Sequence, residues 1–198
     1  MKRVFDIVFS TIGLIFFSPL LLILAFMIKK EDGGPIFYRG VRVGRYGKLF
    51  RIFKFRTMVV NAEKIGGSST ADDDPRITKI GKFIRKYKLD ELPQLINVLK
   101  GEMSFVGPRP QVPWAVELYS EEEKLLITVR PGITDYASIK FKNESEILKG
   151  SEDPDRTYLE KIAPEKLRLG LEYVKNSSLW TDIKIIFATI KAVFMTSS

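Results

Sequence analysis

Two neighbouring carboxylates, Asp90 and Glu91, stand in the run Leu89-Asp-Glu-Leu-Pro-Gln-Leu95 and are the side chains of this sequence best suited to chemistry. Their company is cationic, with Phe50-Arg-Ile-Phe-Lys-Phe-Arg-Thr-Met58 upstream and Phe105-Val-Gly-Pro-Arg-Pro110 downstream. A carboxylate pair among lysines and arginines suits phosphoryl transfer, where charge on phosphate oxygens must be held while a nucleophile approaches. The chain of 198 residues has no cysteine and no histidine. Thiolate and imidazole are thereby excluded as nucleophile, base or metal ligand, and carboxylates must do any such work. A net charge of +8 fits nucleic acid, anionic lipid or a polyanionic substrate and does not choose among them.

The segments around these residues offer ways to position them. Asp90 occupies an N-cap position, Pro93 falls in a first helical turn where its missing N–H is harmless, and Gly101 closes the C-terminal end. Local rules alone would make Asp90 a cap and Glu91 a favourable first-turn charge. Arg109 lies between Pro108 and Pro110, so its guanidinium is presented from a stiff, extended segment. A stiff arginine makes a good diphosphate clamp, although any such turn taken singly reads as a proline-rich turn with an exposed arginine.

From Ile7 to Ile28 the chain carries no charge, enough for a helix of roughly 33 Å that could cross the hydrocarbon of a bilayer. Ser18-Pro19 falls near its middle, and both flanks are basic, Lys2-Arg3 and Lys29-Lys30. Proline weakens a regular helix, and balanced flanks give neither end a reason to cross. A helix that enters, bends at Ser18-Pro19 and leaves on the same side satisfies both observations; a spanning helix satisfies the length. Beyond it, Ile36-Phe37-Tyr38 and Lys48 to Phe55 read as a hairpin around a Gly44/Gly47 loop. Asn61 to Arg76 reads as a long loop and Lys79 to Lys88 as an amphipathic basic helix. Glu144 to Lys161 is polar enough for a mobile lid or loop. In a C-terminal helix Trp180, Ile183, Phe187, Ile190 and Phe194 share one face, suited to a core or to a membrane surface.

Taken together, the ordered blocks Arg42-Val-Gly44, Lys54-Phe-Arg-Thr-Met58, Asp74-Pro-Arg-Ile-Thr78, Leu89 to Leu95, Asn97-Val-Leu-Lys-Gly101, Phe105 to Pro110 and Arg130-Pro-Gly-Ile-Thr134, behind an apolar segment with Ser18-Pro19, resemble the bacterial sugar transferase family. The likeness is to its monotopic polyprenyl-phosphate phosphoglycosyl transferases, over nearly the whole chain. The resemblance implies an enzyme on the cytoplasmic face of the bacterial inner membrane that moves a sugar 1-phosphate from a UDP-sugar to undecaprenyl phosphate and releases UMP. It implies Asp90 as nucleophile, Glu91 as its dyad partner, and Mg²⁺ at the pair. It places Lys54, Arg56, Arg85, Arg109, Arg130 and Lys142 on the substrates. Its implied partners are the UDP-sugar, the polyprenyl phosphate and the phospholipid bilayer, with no nucleic acid and a homodimer left open. The chain departs from the family at Asp135-Tyr-Ala-Ser138 and Gly40-Val41, which bears on the sugar and not on the reaction class.

The expected fold is α+β, mainly helical with a small antiparallel β element and no Rossmann fingerprint. Residues 1–30 would form a re-entrant membrane helix carrying Ser18 and Pro19, and residues 31–198 a catalytic domain in one structural unit with it. Two rivals remain at this stage: a metal-dependent phosphodiesterase using the same carboxylates with water as acceptor, and a non-enzymatic basic module that binds membrane or nucleic acid.

Overall fold

The computed structural model describes residues 1–66, 70–71 and 73–194. Helix α1 (Lys2–Asp32) is closed by Gly33 in the left-handed conformation, with Lys29 and Lys30 in its last turn where cations suit the helix dipole. Pro19 lies inside α1 without interrupting it. A proline at that position leaves the carbonyl of Ile15 without its usual donor, and the Ser18 hydroxyl donates to that same carbonyl at 2.8 Å. The expected break at Ser18-Pro19 is thus patched locally, and the helical assignment runs through it.

Both ends of α1 are fastened to the same globular body. At the N-terminal end Lys2 donates to the Val106 carbonyl and the Tyr173 hydroxyl, each at 2.9 Å, and pairs with Asp182. Arg3 donates to the carbonyls of Val98 and Leu99, and Asp6 accepts from Ser104 Oγ at 3.0 Å and the Phe105 N–H at 3.2 Å. At the other end Leu24 and Ile28 are buried with Phe55 and Ile84. Between these anchors Ile12, Ile15, Phe16, Leu22, Ile23 and Phe26 are exposed.

The expected hairpin is present as two antiparallel ladders. Strands β1 (Phe37–Tyr38), β2 (Val41–Val43), β3 (Leu49–Arg51) and β4 (Lys54–Phe55) pair β2 with β3 and β1 with β4, in register Val41↔Arg51 and Phe37↔Phe55. The ladder lapses at Phe53, whose N–H donates instead to Asn97 Oδ1 at 2.8 Å. Helix α2 (Lys79–Lys86) starts at Thr78, which accepts from the Gly81 N–H at 2.9 Å, and ends two residues earlier than the sequence predicts. Its buried Ile84 faces α1. Lys88 then adopts φ 55° and turns the chain into a 3₁₀ turn, Leu89–Glu91, ahead of α3 (Gln94–Lys100), which Gly101 closes at φ 83°.

Strand β5 (Ser104–Val106) pairs in parallel with β6 (Gly132–Thr134), with α4 (Pro113–Glu117) between them in sequence. This parallel pair is an addition to the expected antiparallel element. The backbones meet so closely beyond it that a Cβ on Gly132 would lie 2.1 Å from the Gly107 nitrogen, so glycine is required on steric grounds. Helices α5 (Tyr136–Lys140), α6 (Glu144–Ile147), α7 (Pro154–Lys161), α8 (Ala163–Lys175) and α9 (Leu179–Phe194) complete the chain.

One expectation is corrected here, and for α9 the burial pattern decides between the two readings the sequence allowed. Glu144 to Lys161 is not an irregular loop throughout: Glu144–Ile147 and Pro154–Lys161 fold as α6 and α7, and Leu148 and Ile162, which follow them, bury against Ala71. That packing also pins part of the Asn61 to Arg76 loop, within which residues 67–69 and 72 lie outside the described residues. In α9 the core face is Asp182 and Ile185, while Trp180, Phe187 and Ile190 are exposed; the side chain of Phe194 lies outside the described set. The apolar stripe therefore faces outward and does not serve the core. The whole is mainly helical with small two-stranded ladders, and no Rossmann sheet is found among the described residues.

Candidate active site

Asp90 and Glu91 sit in the 3₁₀ turn that precedes α3, and Asp90 is buried. Asp90 is not the cap of α3. The capping position is Pro93, which makes no side-chain cap bond, and the 3₁₀ turn set by Lys88 sends the Asp90 carboxylate to Lys54 instead. Lys54 Nζ lies 2.9 Å from Asp90 Oδ2 and 3.1 Å from Glu91 Oε1. Arg109, on the proline-flanked segment that follows β5, places Nη2 2.6 Å from Glu91 Oε1. Residues from the hairpin, the 3₁₀ turn and the segment after β5 thus converge on one spot.

The electrostatics are unequal between the two carboxylates. Burial works against ionisation of Glu91, but the charges of Arg109 and Lys54 outweigh it and hold its pKa well below the carboxylate range. Burial likewise opposes the Lys54 ammonium, and Asp90 with Glu91 more than compensates, so Lys54 stays protonated. Glu91 raises the pKa of Arg109 in the same way. Glu91 is held by two cations; Asp90 has one, through Oδ2.

The other expected site residues divide. Lys142 lies in the turn after α5, and Arg85 in the last turn of α2, and both line the broad cleft that Asp90 and Glu91 also line. Arg56 does not join the carboxylate pair. Its guanidinium forms a two-pronged pair with Asp32 and donates to the Pro35 carbonyl at 2.6 Å and the Met58 carbonyl at 3.1 Å, so it clamps the end of α1 to the hairpin. Arg130 donates through Nε to the Gly101 carbonyl at 3.0 Å and secures the end of α3. Sequence reasoning grouped Arg56 with Lys54 because they share a motif and, two residues apart, would share a face in extended chain; but β4 ends at Phe55, and beyond it Arg56 is drawn to Asp32 and the Pro35 and Met58 carbonyls. It also missed a polar group beyond Arg109, where Lys166 pairs with Glu144 near Tyr158.

No group of three or more carboxylates that could hold a metal is found among the described residues. The donors at hand are Asp90 and Glu91. Two hard oxygen ligands fit Mg²⁺, which is commonly held by one or two carboxylates with water and substrate phosphate completing its shell.

A carboxylate pair gripped by lysine and arginine thus lies on a domain strapped along an apolar helix, an arrangement suited to phosphate chemistry beside an apolar surface. The chain belongs to the bacterial sugar transferase family, whose pattern matches residues 1–196. It is 41% identical over 208 residues to the undecaprenyl-phosphate galactose phosphotransferase of Salmonella typhimurium, covering 98% of this chain and 40% of that protein. It is 40% identical over 195 residues to the UDP-N-acetylgalactosamine-undecaprenyl-phosphate N-acetylgalactosaminephosphotransferase of Aeromonas hydrophila, covering 97% and 43%. With the exopolysaccharide production protein ExoY of Sinorhizobium fredii the identity is 37% over 207 residues, covering 97% and 84%. The chain thus spans about two fifths of the first two relatives and most of the third.

Proposed function

We propose that this protein transfers a sugar 1-phosphate from a UDP-sugar to undecaprenyl phosphate, releasing UMP, as the first membrane step in building a bacterial polysaccharide or related glycoconjugate. The observation that carries the reading is the ion-pair group Lys54–Asp90–Glu91–Arg109, joined to family membership and to the activities named for the Salmonella and Aeromonas relatives.

The unequal grip on the two carboxylates supports a division of labour. Glu91, tied to both cations, is a poor nucleophile and a good organiser. Asp90, with a single contact, has an oxygen free to attack the sugar-bearing phosphorus; a P–O bond forms to Asp90 and the bond to UMP breaks. An oxygen of the lipid phosphate then attacks the same phosphorus and restores the carboxylate. Lys54 and Arg109 are placed to hold the diphosphate oxygens through charge-assisted bonds about twice as strong as neutral ones. Arg85 and Lys142, which line the same cleft, would meet other parts of the donor. Asp90 and Glu91 would hold Mg²⁺, which when bound neutralises phosphate charge.

The anchoring of both ends of α1 to one body supports the same-sided seat on the cytoplasmic leaflet expected of a re-entrant segment, although α1 itself runs on through Pro19. A spanning α1 would drag the attached hairpin and α3 into the hydrocarbon, whereas shallow immersion buries only its exposed outer face. Trp180, Phe187 and Ile190 on α9, with Lys184 and Lys191 beside them, suit the same interface. Incubating the detergent-extracted protein with undecaprenyl phosphate and a panel of UDP-sugars tests the reading: UMP and lipid-linked sugar phosphate should appear together. Free sugar phosphate without lipid product would instead identify a phosphodiesterase.

A further inference from the structure

Among the described residues the buried side-chain atoms without a hydrogen-bond partner are Asp6 Oδ2, Arg39 Nε and Gln94 Nε2. Two of these are donors, and both residues line the cleft that contains Asp90. Buried donors are rarely left unsatisfied, so two beside one cleft mark a place where an acceptor belongs.

The Arg51 carbonyl links the surroundings of the two donors. The Arg39 guanidinium lies flat on Phe53, 3.4 Å from the ring centre, and Nη2 leans towards the Arg51 carbonyl at 3.4 Å. Asn97, one turn beyond Gln94 on α3, donates to that same carbonyl at 3.0 Å and accepts the Phe53 N–H. The residue after Phe53 is Lys54, which reaches Asp90. Arg56, Arg76 and Arg109 are each paired with a carboxylate; Arg39 has none among the described residues, and its charge is open to an incoming anion. The cleft wall on this side is apolar: Phe9, Ile12 and Phe16 of α1 line it and are exposed. Leu95, next to Gln94, packs on Gly13 of α1.

We propose that Arg39 and Gln94 form the headgroup site of the acceptor, a phosphate monoester with a long apolar tail, distinct from the Lys54–Arg109 group that takes the donor. The inference rests on the transferase reading above. The tail lies along the exposed face of α1, the Arg39 fork takes two phosphate oxygens, and the Gln94 amide turns up to a third. With a second pKa near 6 the acceptor is already anionic at neutral pH. Its oxygen attacks the phosphorus carried by Asp90, the bond to Asp90 breaks, and no base is needed.

The test uses the full chain in detergent, a short-chain prenyl phosphate as acceptor, and the variants Arg39→Ala, Arg39→Lys and Gln94→Met. Arg39→Ala should raise the acceptor KM about tenfold or more, with an unchanged UMP burst when UDP-sugar is supplied alone, and Arg39→Lys should recover part of the loss. Gln94→Met should raise the acceptor KM severalfold while leaving the melting temperature of the free protein equal or higher, because it removes a buried unpartnered donor; a glutamine kept for structure would lower it. Prenyl phosphate should raise the melting temperature of wild type but not of Arg39→Ala, and prenyl alcohol should raise neither. An unchanged acceptor KM in Arg39→Ala and Gln94→Met overturns the proposal, as does a parallel loss of burst and acceptor use, which would put Arg39 on the donor. Equal, Arg39-dependent protection by inorganic phosphate would identify free phosphate as the occupant and overturn the lipid assignment. A wild type with no burst for any UDP-sugar defeats the transferase reading, and the Arg39 dependence of prenyl phosphate binding then decides the site by itself.

Discussion

Lys54 places its ammonium 2.9 Å from Oδ2 of Asp90 and so ties the outgoing strand of the hairpin to the 3₁₀ turn before α3. The same ammonium reaches Glu91, which Arg109 grips from the other side. The hairpin, the 3₁₀ turn and the segment after β5 are separate in sequence, and the carboxylate pair is where they are joined.

The first prediction concerns this group. Arg109→Lys keeps the charge and loses the planar fork, so it should lower kcat/KM roughly tenfold to a hundredfold, for about 1.5–3 kcal/mol of charged hydrogen bonding. Arg109 and Lys54 together hold the pKa of Glu91 below the carboxylate range, so Arg109→Ala must let it rise. The acid limb of the pH–rate profile should then move to higher pH. Wild-type turnover and an unmoved acid limb in Arg109→Ala would reduce Arg109 to a shaper of its turn.

A second prediction separates Arg56 from the substrates. Its partner Asp32 has a lowered pKa, chiefly through the hydrogen bonds from Arg56. A depressed carboxylate contributes stability above its unfolded pKa of about 3.9, and the contribution is lost as pH falls through the lower folded value. Asp32→Asn, which leaves Arg56 buried and unpaired, should cost about 1–3 kcal/mol at pH 7 and progressively less below pH 4. Activity per folded molecule should stay near wild type in thermal and kinetic assays run side by side. A loss of activity in the folded protein would return Arg56 to the binding residues.

The seating of α1 gives a third. The chain has no cysteine, so one cysteine placed ahead of Met1 and another replacing Lys30 report without background. Both should be labelled by a membrane-impermeant reagent only from the cytoplasmic side. Replacing Ser18-Pro19 with Leu-Leu restores the backbone N–H that Pro19 lacks, removes the hydroxyl that stands in for it, and makes the already continuous helix stiffer and more apolar at spanning length. Some molecules should then expose the N-terminal cysteine to the periplasm. Periplasmic labelling of that cysteine in the unaltered chain would make α1 a single-pass anchor.

The outward face of α9 supplies the fourth. Phe187 is 69% exposed, so Phe187→Glu should change stability by no more than about 0.5 kcal/mol. If the face rests on lipid, the variant should still be washed more readily from vesicles of anionic phospholipid. Unaltered retention at equal stability would leave α9 clear of the membrane.

Much of this was legible in the sequence, and the gaps have physical causes. The hairpin was readable because Gly44 and Gly47 mark its turn, and Gly101 marked the end of α3 through its positive φ. Asp90, Glu91, Lys54 and Arg109 could be singled out by type, and they do meet. The 3₁₀ turn was hidden because Asp90 and Pro93 also satisfy the rules for an N-cap; Lys88 in the left-handed region decides otherwise, and nothing in its side chain announces that. The β5–β6 pair joins two three-residue strands distant in sequence, too short for any periodicity to reveal. The outward face of α9 was equally unreadable, since the stripe from Trp180 to Ile190 fits a core as well as a bilayer, and only the burial of Asp182 against Tyr173 and Lys2 turns the stripe away from the core.

The central claim is that Asp90 carries the phosphosugar between donor and acceptor, and intact-protein mass tests it most directly. Wild type incubated with its UDP-sugar and Mg²⁺, without acceptor, should gain the mass of one phosphosugar and lose it when undecaprenyl phosphate is added. Asp90→Asn should gain nothing and release no UMP, because an amide oxygen is too weak a nucleophile. The same mass gain in Asp90→Asn, or full turnover in wild type with no adduct and sequential kinetics, would contradict the account.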